Sequence, residues 1–363
     1  MPAAAGTGLP ATLAETARIY LRPVGLTCGN AAEKFLGAGQ AKRLAGGPWV
    51  FAACEVALRA PEGIRRAVAS LAEIEAWADR LAPPLRDGIS AQFGRLTVPR
   101  RAPGGGPLER PLIMGVVDAS SDPEAAVVQG RHLTAAGADI LEIGGESDRP
   151  DAPSVEAARV RAVLQGLAAD PSIGQTLLSV ETRDPEVTAE ALAAGAAVIN
   201  GLPAPAGDPN SLASAARSGA QVVLAHGRGD LGATSRDPDY TDAPLDVFDG
   251  LEAQVDACIS AGIARARLIV DPGLGFAKRG EDNLAVLRAL ALYQGLGCPV
   301  LLDVAREDVT GVLDRSFPPR GHLPGSLAAA VHALDQGVQI LKVRDVAEFR
   351  QALDLWRRLT GLA

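Results

Sequence analysis

The chain has 363 residues, 47% of them hydrophobic and 21% charged, with a formal net charge of −8. That length suits a large barrel or two ordinary domains, and the apolar fraction can fill a substantial core. The negative balance and an aromatic content of only 4% exclude the basic, stacking surfaces that nucleic acids require. Cys28, Cys54, Cys258 and Cys298 are far apart and form no C-x-x-C pair. Neither a disulfide framework nor a zinc site is indicated, and a reducing, cytoplasmic home is expected. No apolar run approaches the roughly 20 residues of a membrane span, and the opening residues lack the basic-then-apolar pattern of a signal peptide, so no membrane partner is expected.

Residues 1–97 read as a small αβ segment: a strand over Ile19–Leu26, an Ala-rich helix over Ala31–Leu44, a strand over Trp49–Leu58 and a helical stretch over Gly63–Leu81. No catalytic cluster stands out in it. Residues 98–111, VPRRAPGGGPLERP, interrupt any periodicity with Gly, Pro and Arg and read as a linker. From residue 112 to 363 the pattern becomes regular. Short β-branched runs begin near residues 113, 139, 176, 197, 221, 267, 299 and 339, and each is followed by an Ala/Leu-rich helical stretch. Helix starts are marked by a capping residue or a proline, as at Asp122-Pro123-Glu124 and Asp184-Pro185-Glu186. Eight strand–helix units over about 250 residues predict a parallel (β/α)8 TIM barrel behind the αβ segment. An open doubly wound sheet is the alternative on the pattern alone.

In a barrel the working site lies where the strands end and the βα loops gather. The runs end in Asp118, Glu142 with Glu146, Glu181, Asn200, His226, Asp271, Asp303 with Arg306, and Lys342 with Arg344. Glu181 and Asp271 can accept hydrogen bonds from a ligand with several N–H donors, and Asn200 offers both a donor and an acceptor, a trio suited to a heteroaromatic amide. Lys342 and Arg344 share a strand face near the region where barrels bind phosphate. Glu307 and Asp308 follow closely and could pair with them, so an internal salt-bridge network is an open alternative. The glycine-rich runs IGGESDRPDAP and DPGLGFAKRGEDN lack the Gly-Lys-Ser/Thr ending of a phosphate loop, and turn chemistry accounts for either alone.

Taken in order, these strings resemble those of the dihydropteroate synthase family, which joins a dihydropterin pyrophosphate to 4-aminobenzoate. IGGESDRP is similar to the family's IGGESTRP, SVET to SVDT, VIN to IIN, AHGRG to MHMRG, DPGLGFAK to DPGIGFGK, GSLAAA to the same string and ILKVRDV to ILRVHDV. The resemblance implies a pterin-like ligand held by Glu181, Asn200 and Asp271, with Phe276 near the arylamine. It further implies Arg149, Lys342 and Arg344 as anion-binding residues and Asp118 as a magnesium ligand. The family's SRKSF falls on residues 305–309, so its lysine has become Glu307 and its serine Asp308. Its aspartates at SVDT and after IIN are here Glu181 and Gly201, its last-strand arginine and histidine are Lys342 and Arg344, and the threonine of STRP is Asp148. The first βα loop is shortened, because MGVVDASS runs directly into Asp122.

Putting acids where a cation and a hydroxyl held the substrates removes attraction and adds repulsion. The expectation is a pterin-binding protein that has lost the usual condensation and serves a binding, partner or regulatory role. The alternative is an active transferase for 4-aminobenzoate or a non-carboxylated arylamine, in folate or tetrahydromethanopterin-type cofactor synthesis. Pairing through helices, as family resemblance implies, would make a homodimer, with the small-residue face of GSLAAAVHAL permitting close approach.

Overall fold

The structure, a computed structural model, describes residues 8–119, 122–144, 153–182, 184–201, 209–227, 240–275, 278–304 and 322–362. All eight expected strands are present: β6 (Leu112–Asp118), β7 (Ile140–Gly144), β8 (Leu177–Glu181), β9 (Val198–Asn200), β10 (Gln221–Ala225), β11 (Leu268–Asp271), β12 (Leu301–Asp303) and β13 (Ile340–Val343). They form one sheet in the order β11-β10-β9-β8-β7-β6-β13-β12, with parallel pairing throughout. A parallel bridge from Val270 to Val300 links its two ends and closes the barrel. An open sheet is thereby excluded.

The intervening helices are α4 (Pro123–Ala135), α5 (Pro153–Ala168), α6 (Pro185–Ala193), α7 (Pro209–Ser218), α8 (Ala243–Ser260), α9 (Gly280–Arg288), α10 (Leu323–Asp335) and α11 (Val346–Leu359). The caps expected at Asp122 and Asp184 form, each aspartate accepting from the backbone N–H two residues on. On α10 the small residues Ser326, Ala329, Ala330 and Ala333 are buried within the chain. Ala328 and His332 of the same helix are exposed.

Two cores result from the alternation of side chains along each strand. Residues pointing out pack beneath the helices. Those pointing in form a layer of Met114, Ile140, Val198, Val223, Ile269, Leu301 and Ile340, almost wholly excluded from solvent. This layer plugs the barrel interior. Two residues further along the same strands, the next inward positions carry Glu142, Asn200, Asp271, Asp303 and Lys342.

The N-terminal segment differs from its reading in several elements, most of all in the stretch read as a helix over Gly63–Leu81. Residues Gly63–Ser70 form a strand, β5, and only Leu71–Ala78 is helical (α2). β5 pairs antiparallel with β4 (Ala53–Ala60) through a tight turn, in which Ala60 faces Gly63 and Gly63 has φ +125°. The Pro-Glu-Gly turn was the signal for a hairpin, but the Ala and Arg content of GIRRAVAS favours a helix on composition. β1 (Arg18–Val24) completes a three-stranded sheet on the far side of β4, α1 (Gly29–Gly37) is shorter than expected, and β2 (Lys42–Arg43) pairs with β3 (Val50–Phe51). Helix α3 (Pro83–Thr97) buries Leu85, Ile89, Phe93 and Leu96. Its buried Gln92 accepts from the Leu21 N–H at 3.0 Å and donates to the Ile19 carbonyl at 2.7 Å, so a side-chain amide takes the place of a neighbouring strand along β1.

This segment is docked on the barrel through α8. Arg66, Arg59, Arg18 and Arg95 pair in turn with Asp242, Asp246, Asp249 and Glu252, a stripe along one side of α8. Beneath the ion pairs Tyr20 packs edge-on against Phe248 with ring centroids 5.6 Å apart and donates to Asp249 at 2.9 Å. The stretch read as a linker is also tied down. Arg100, 4% exposed, donates to the carbonyls of Cys298, Gln294 and Val98 at 2.7–3.0 Å, at the N-terminal end of the barrel.

Candidate active site

Above the apolar plug lies a connected group of charged and polar side chains. Glu142 on β7, fully buried, is its centre. Its Oε1 accepts from Ser179 Oγ on β8 at 2.7 Å, and its Oε2 accepts from Asn200 Nδ2 on β9 at 2.7 Å. Lys342 Nζ, on β13, lies 3.3 Å from the same Oε2, 2.6 Å from Glu181 Oε2 and 3.3 Å from Asp303 Oδ2. Strand pairing accounts for two of these meetings, and barrel closure brings the others together. Register sets Glu142 beside Ser179, Glu181 beside Asn200, and Asp303 beside Lys342.

The charge balance is uneven. One ammonium faces three carboxylates, and Asp271, 1% exposed, adds a fourth acid to the same ring of strand ends. Buried acids in such excess favour a ligand that brings hydrogen-bond donors. One acceptor is already waiting: the Asn200 Oδ1 is buried and has no hydrogen-bond partner among the described residues.

The turn after β11 is rigidly built. Asp271 Oδ1 accepts from the Gly273 N–H at 2.8 Å, Lys278 Nζ donates to the Gly273 carbonyl at 2.8 Å, and Asn283 Oδ1 accepts from the Gly275 N–H at 3.0 Å. Gly273 has φ +69°, and a Cβ there would lie 2.0 Å from the His226 carbonyl oxygen, so no other residue fits. Burial lowers the Lys278 ammonium to about 8, against the opposing pull of Asp271 and Asp282. Burial, helped by the Lys278 charge, lowers the neighbouring His226 to about 3. His226 is therefore a neutral imidazole at physiological pH, with its Nδ1 unpartnered among the described residues.

Of the residues expected from the sequence, Glu181, Asn200, Asp271 and Lys342 come together on the inner strand ends. The salt-bridge network exists, but the described partners of Lys342 are Glu142, Glu181 and Asp303. Asp118 and Arg344 are exposed at the ends of β6 and β13. Phe276, Glu307, Asp308 and Arg149 lie outside the described residues. Glu142 and Asp303, noted as strand ends but not assigned a role, prove to be integral, and Ser179 and Lys278 join them. The signal for the first two was their place two residues beyond an inward apolar residue, Ile140 and Leu301.

Residues 117–344 match the family pattern described as pterin binding enzyme. The dihydropteroate synthase of Escherichia coli (strain K12) is 34% identical over 260 residues, covering 68% of this chain and 90% of the relative. The chain belongs to the dihydropteroate synthase family. The Bacillus subtilis (strain 168) dihydropteroate synthase is 32% identical over 255 residues, covering 66% of this chain and 85% of that one. Among solved structures, the Xanthomonas albilineans dihydropteroate synthase in complex with indole-2-carboxylic acid and 6-chloroguanine superposes with a TM-score of 0.65 at 35% identity, over 73% of this chain and 98% of that one. The Thermus thermophilus dihydropteroate synthase in complex with 6HMPPP gives a TM-score of 0.61 at 37% identity, over 69% and 95%. The family likeness leaves most of the N-terminal segment outside it, and among the described residues no helix is long and apolar enough to cross a membrane.

Proposed function

We propose that this protein is an active transferase that joins a dihydropterin pyrophosphate to an arylamine. The amine nitrogen would attack the pterin's methylene carbon, the carbon–oxygen bond to pyrophosphate would break, and the amine would lose a proton. The observation that carries this reading is the buried Oδ1 of Asn200, unpartnered among the described residues, in a ring of strand ends rich in acids. An aminopyrimidinone edge, rich in N–H donors, matches it. The family relatives named as dihydropteroate synthases support the same chemistry.

In this reading Glu181, Asn200 and Asp271 hold the pterin deep in the barrel, and Lys342 acts as the counter-charge that keeps the acids together. The arylamine side falls to Phe276 and Asp308, the pterin side also to Glu307, and the anionic leaving group to Arg149 and Arg344, by their positions in the sequence. Asp118 is the residue that would hold magnesium: an exposed carboxylate at the end of β6, with no group of three ligating side chains among the described residues. A single carboxylate fits that ion's habit of keeping waters and taking other ligands from phosphate oxygens, and when bound it would offset charge on the departing pyrophosphate.

A second reading, ligand binding without turnover, draws on Glu307 and Asp308 standing where the resemblance places a lysine and a serine. One experiment separates the two. The purified chain is given 6-hydroxymethyl-7,8-dihydropterin pyrophosphate with magnesium, then 4-aminobenzoate or a non-carboxylated arylamine, and released pyrophosphate is measured. Amine-dependent release supports the transferase. Tight pterin binding with no release under either amine refutes it in favour of the second reading.

A further inference from the structure

The Asn200 amide can in principle present either end to a ligand, its oxygen to a donor or its nitrogen to an acceptor. Glu142 removes that freedom. A carboxylate has no proton to give, so at 2.7 Å from Oε2 only the Nδ2 end of Asn200 can face it. Turned over, the amide would set two acceptor oxygens against each other in a fully buried place, which the low local polarity makes costly. Glu142 is in turn held by Ser179 Oγ at 2.7 Å on its other oxygen and by the Lys342 ammonium at 3.3 Å. It therefore has little room to rotate away. The result is an Asn200 Oδ1 that points away from Glu142, buried and without a partner among the described residues.

We propose that Glu142 is a positioning residue for ligand selection: by fixing the Asn200 amide it makes the pocket choose a heterocycle that presents an N–H donor over the counterpart that presents a carbonyl there. This rests on the pterin reading above. Glu142 itself does not touch the ligand; it acts through Asn200.

The test is a comparison of two pteridines, the 2-amino-4-oxo and the 2,4-dioxo compound, titrated into the full-length protein by calorimetry. The wild type favours the 2-amino compound by about tenfold or more, since a site built for a donor rejects its replacement. Glu142→Leu, of similar size, removes the acceptor that fixes Nδ2, leaves the Asn200 amide free to turn, and narrows the preference to within about threefold. Ser179→Ala breaks a different hydrogen bond of Glu142 and retains the preference, which a merely structural role for the cluster would not predict.

Should Glu142→Leu not fold, the side-chain amide resonance of Asn200 in wild-type protein decides the matter. Its Nδ2 protons, already donated to Glu142, keep their shifts when the 2-amino compound is added; a shift showing that they have turned to the ligand overturns the proposal. Equal binding of both pteridines by the wild type, or an undiminished preference in Glu142→Leu, overturns it too while leaving the pterin reading intact. If the wild type binds neither compound, it is the pterin reading itself that fails, and the proposal with it.

Discussion

Replacing Lys342 by methionine removes the cation that pairs with Glu142, Glu181 and Asp303 while keeping a side chain of similar length. The ammonium lies 2.6 Å from Glu181 and 3.3 Å from each of Glu142 and Asp303. At an effective dielectric constant of about 20, each contact carries roughly 5–6 kcal/mol of gross attraction. Most of that is offset by stripping water from the charges, and Glu181, whose side chain is 24% exposed, is further screened. What remains after removal is a set of buried acids without a counter-charge, a situation that costs about 3–5 kcal/mol. Lys342→Met is therefore expected to lose about that much stability at pH 8 in urea unfolding followed by tryptophan fluorescence, with a lower midpoint and an unchanged slope. Lys342→Arg recovers part of the loss. A Lys342→Met protein within about 1 kcal/mol of wild type at pH 8 would refute the idea that this ammonium holds the acids together.

Three further outcomes are expected. His226 titrates at about 3 when folded and near 6.5 when unfolded, so the unfolded chain binds more protons between those values and stability falls as the pH drops through that window. His226→Gln flattens this slope, by up to about 1.4 kcal/mol per pH unit, in unfolding measured from pH 4 to 7; an unaltered slope would show that another group is responsible. Arg100→Ala strands two buried carbonyls, of Cys298 and Gln294, and costs about 2–4 kcal/mol by thermal unfolding, whereas Arg18→Ala, whose side chain is 43% exposed, costs less than about 1 kcal/mol. Equal effects would contradict the anchoring role of Arg100. Asp308→Ser lowers KM for 4-aminobenzoate, and Glu307→Lys lowers KM for the dihydropterin pyrophosphate, by about tenfold each; no change in either KM would mean that these acids do not meet the substrates.

The barrel was readable because each of its strands is a short β-branched run closed by a polar residue, with a proline or an aspartate opening the next helix. The N-terminal hairpin was not, because GIRRAVAS has few β-branched residues and its pairing with Ala53–Ala60 depends on a turn whose Gly63 weighs little in a composition window. Site residues on the inner faces of the strands could be named from alternation. Their partners could not. Lys342 meets Glu142 and Glu181 across the lumen, a contact that exists only once β13 has closed against β6 and the barrel is complete. Asn200 was legible as a ligand contact, but which end of its amide faces outward depends on Glu142, two strands away.

The closure between β11 and β12 rests on the bridge at Val270 and Val300 and the hydrogen bond from the Val270 N–H to the Pro299 carbonyl. Directly outside that thin seam, Arg100 grips the carbonyls of Gln294 and Cys298, while the arginines of the first hundred residues hold α8 just before β11. The leading segment thus works as a clasp on a hoop at its weakest joint. A barrel cut free at residue 112 should breathe open first between Asp271 and Asp303, letting water reach the acids that the intact chain keeps dry.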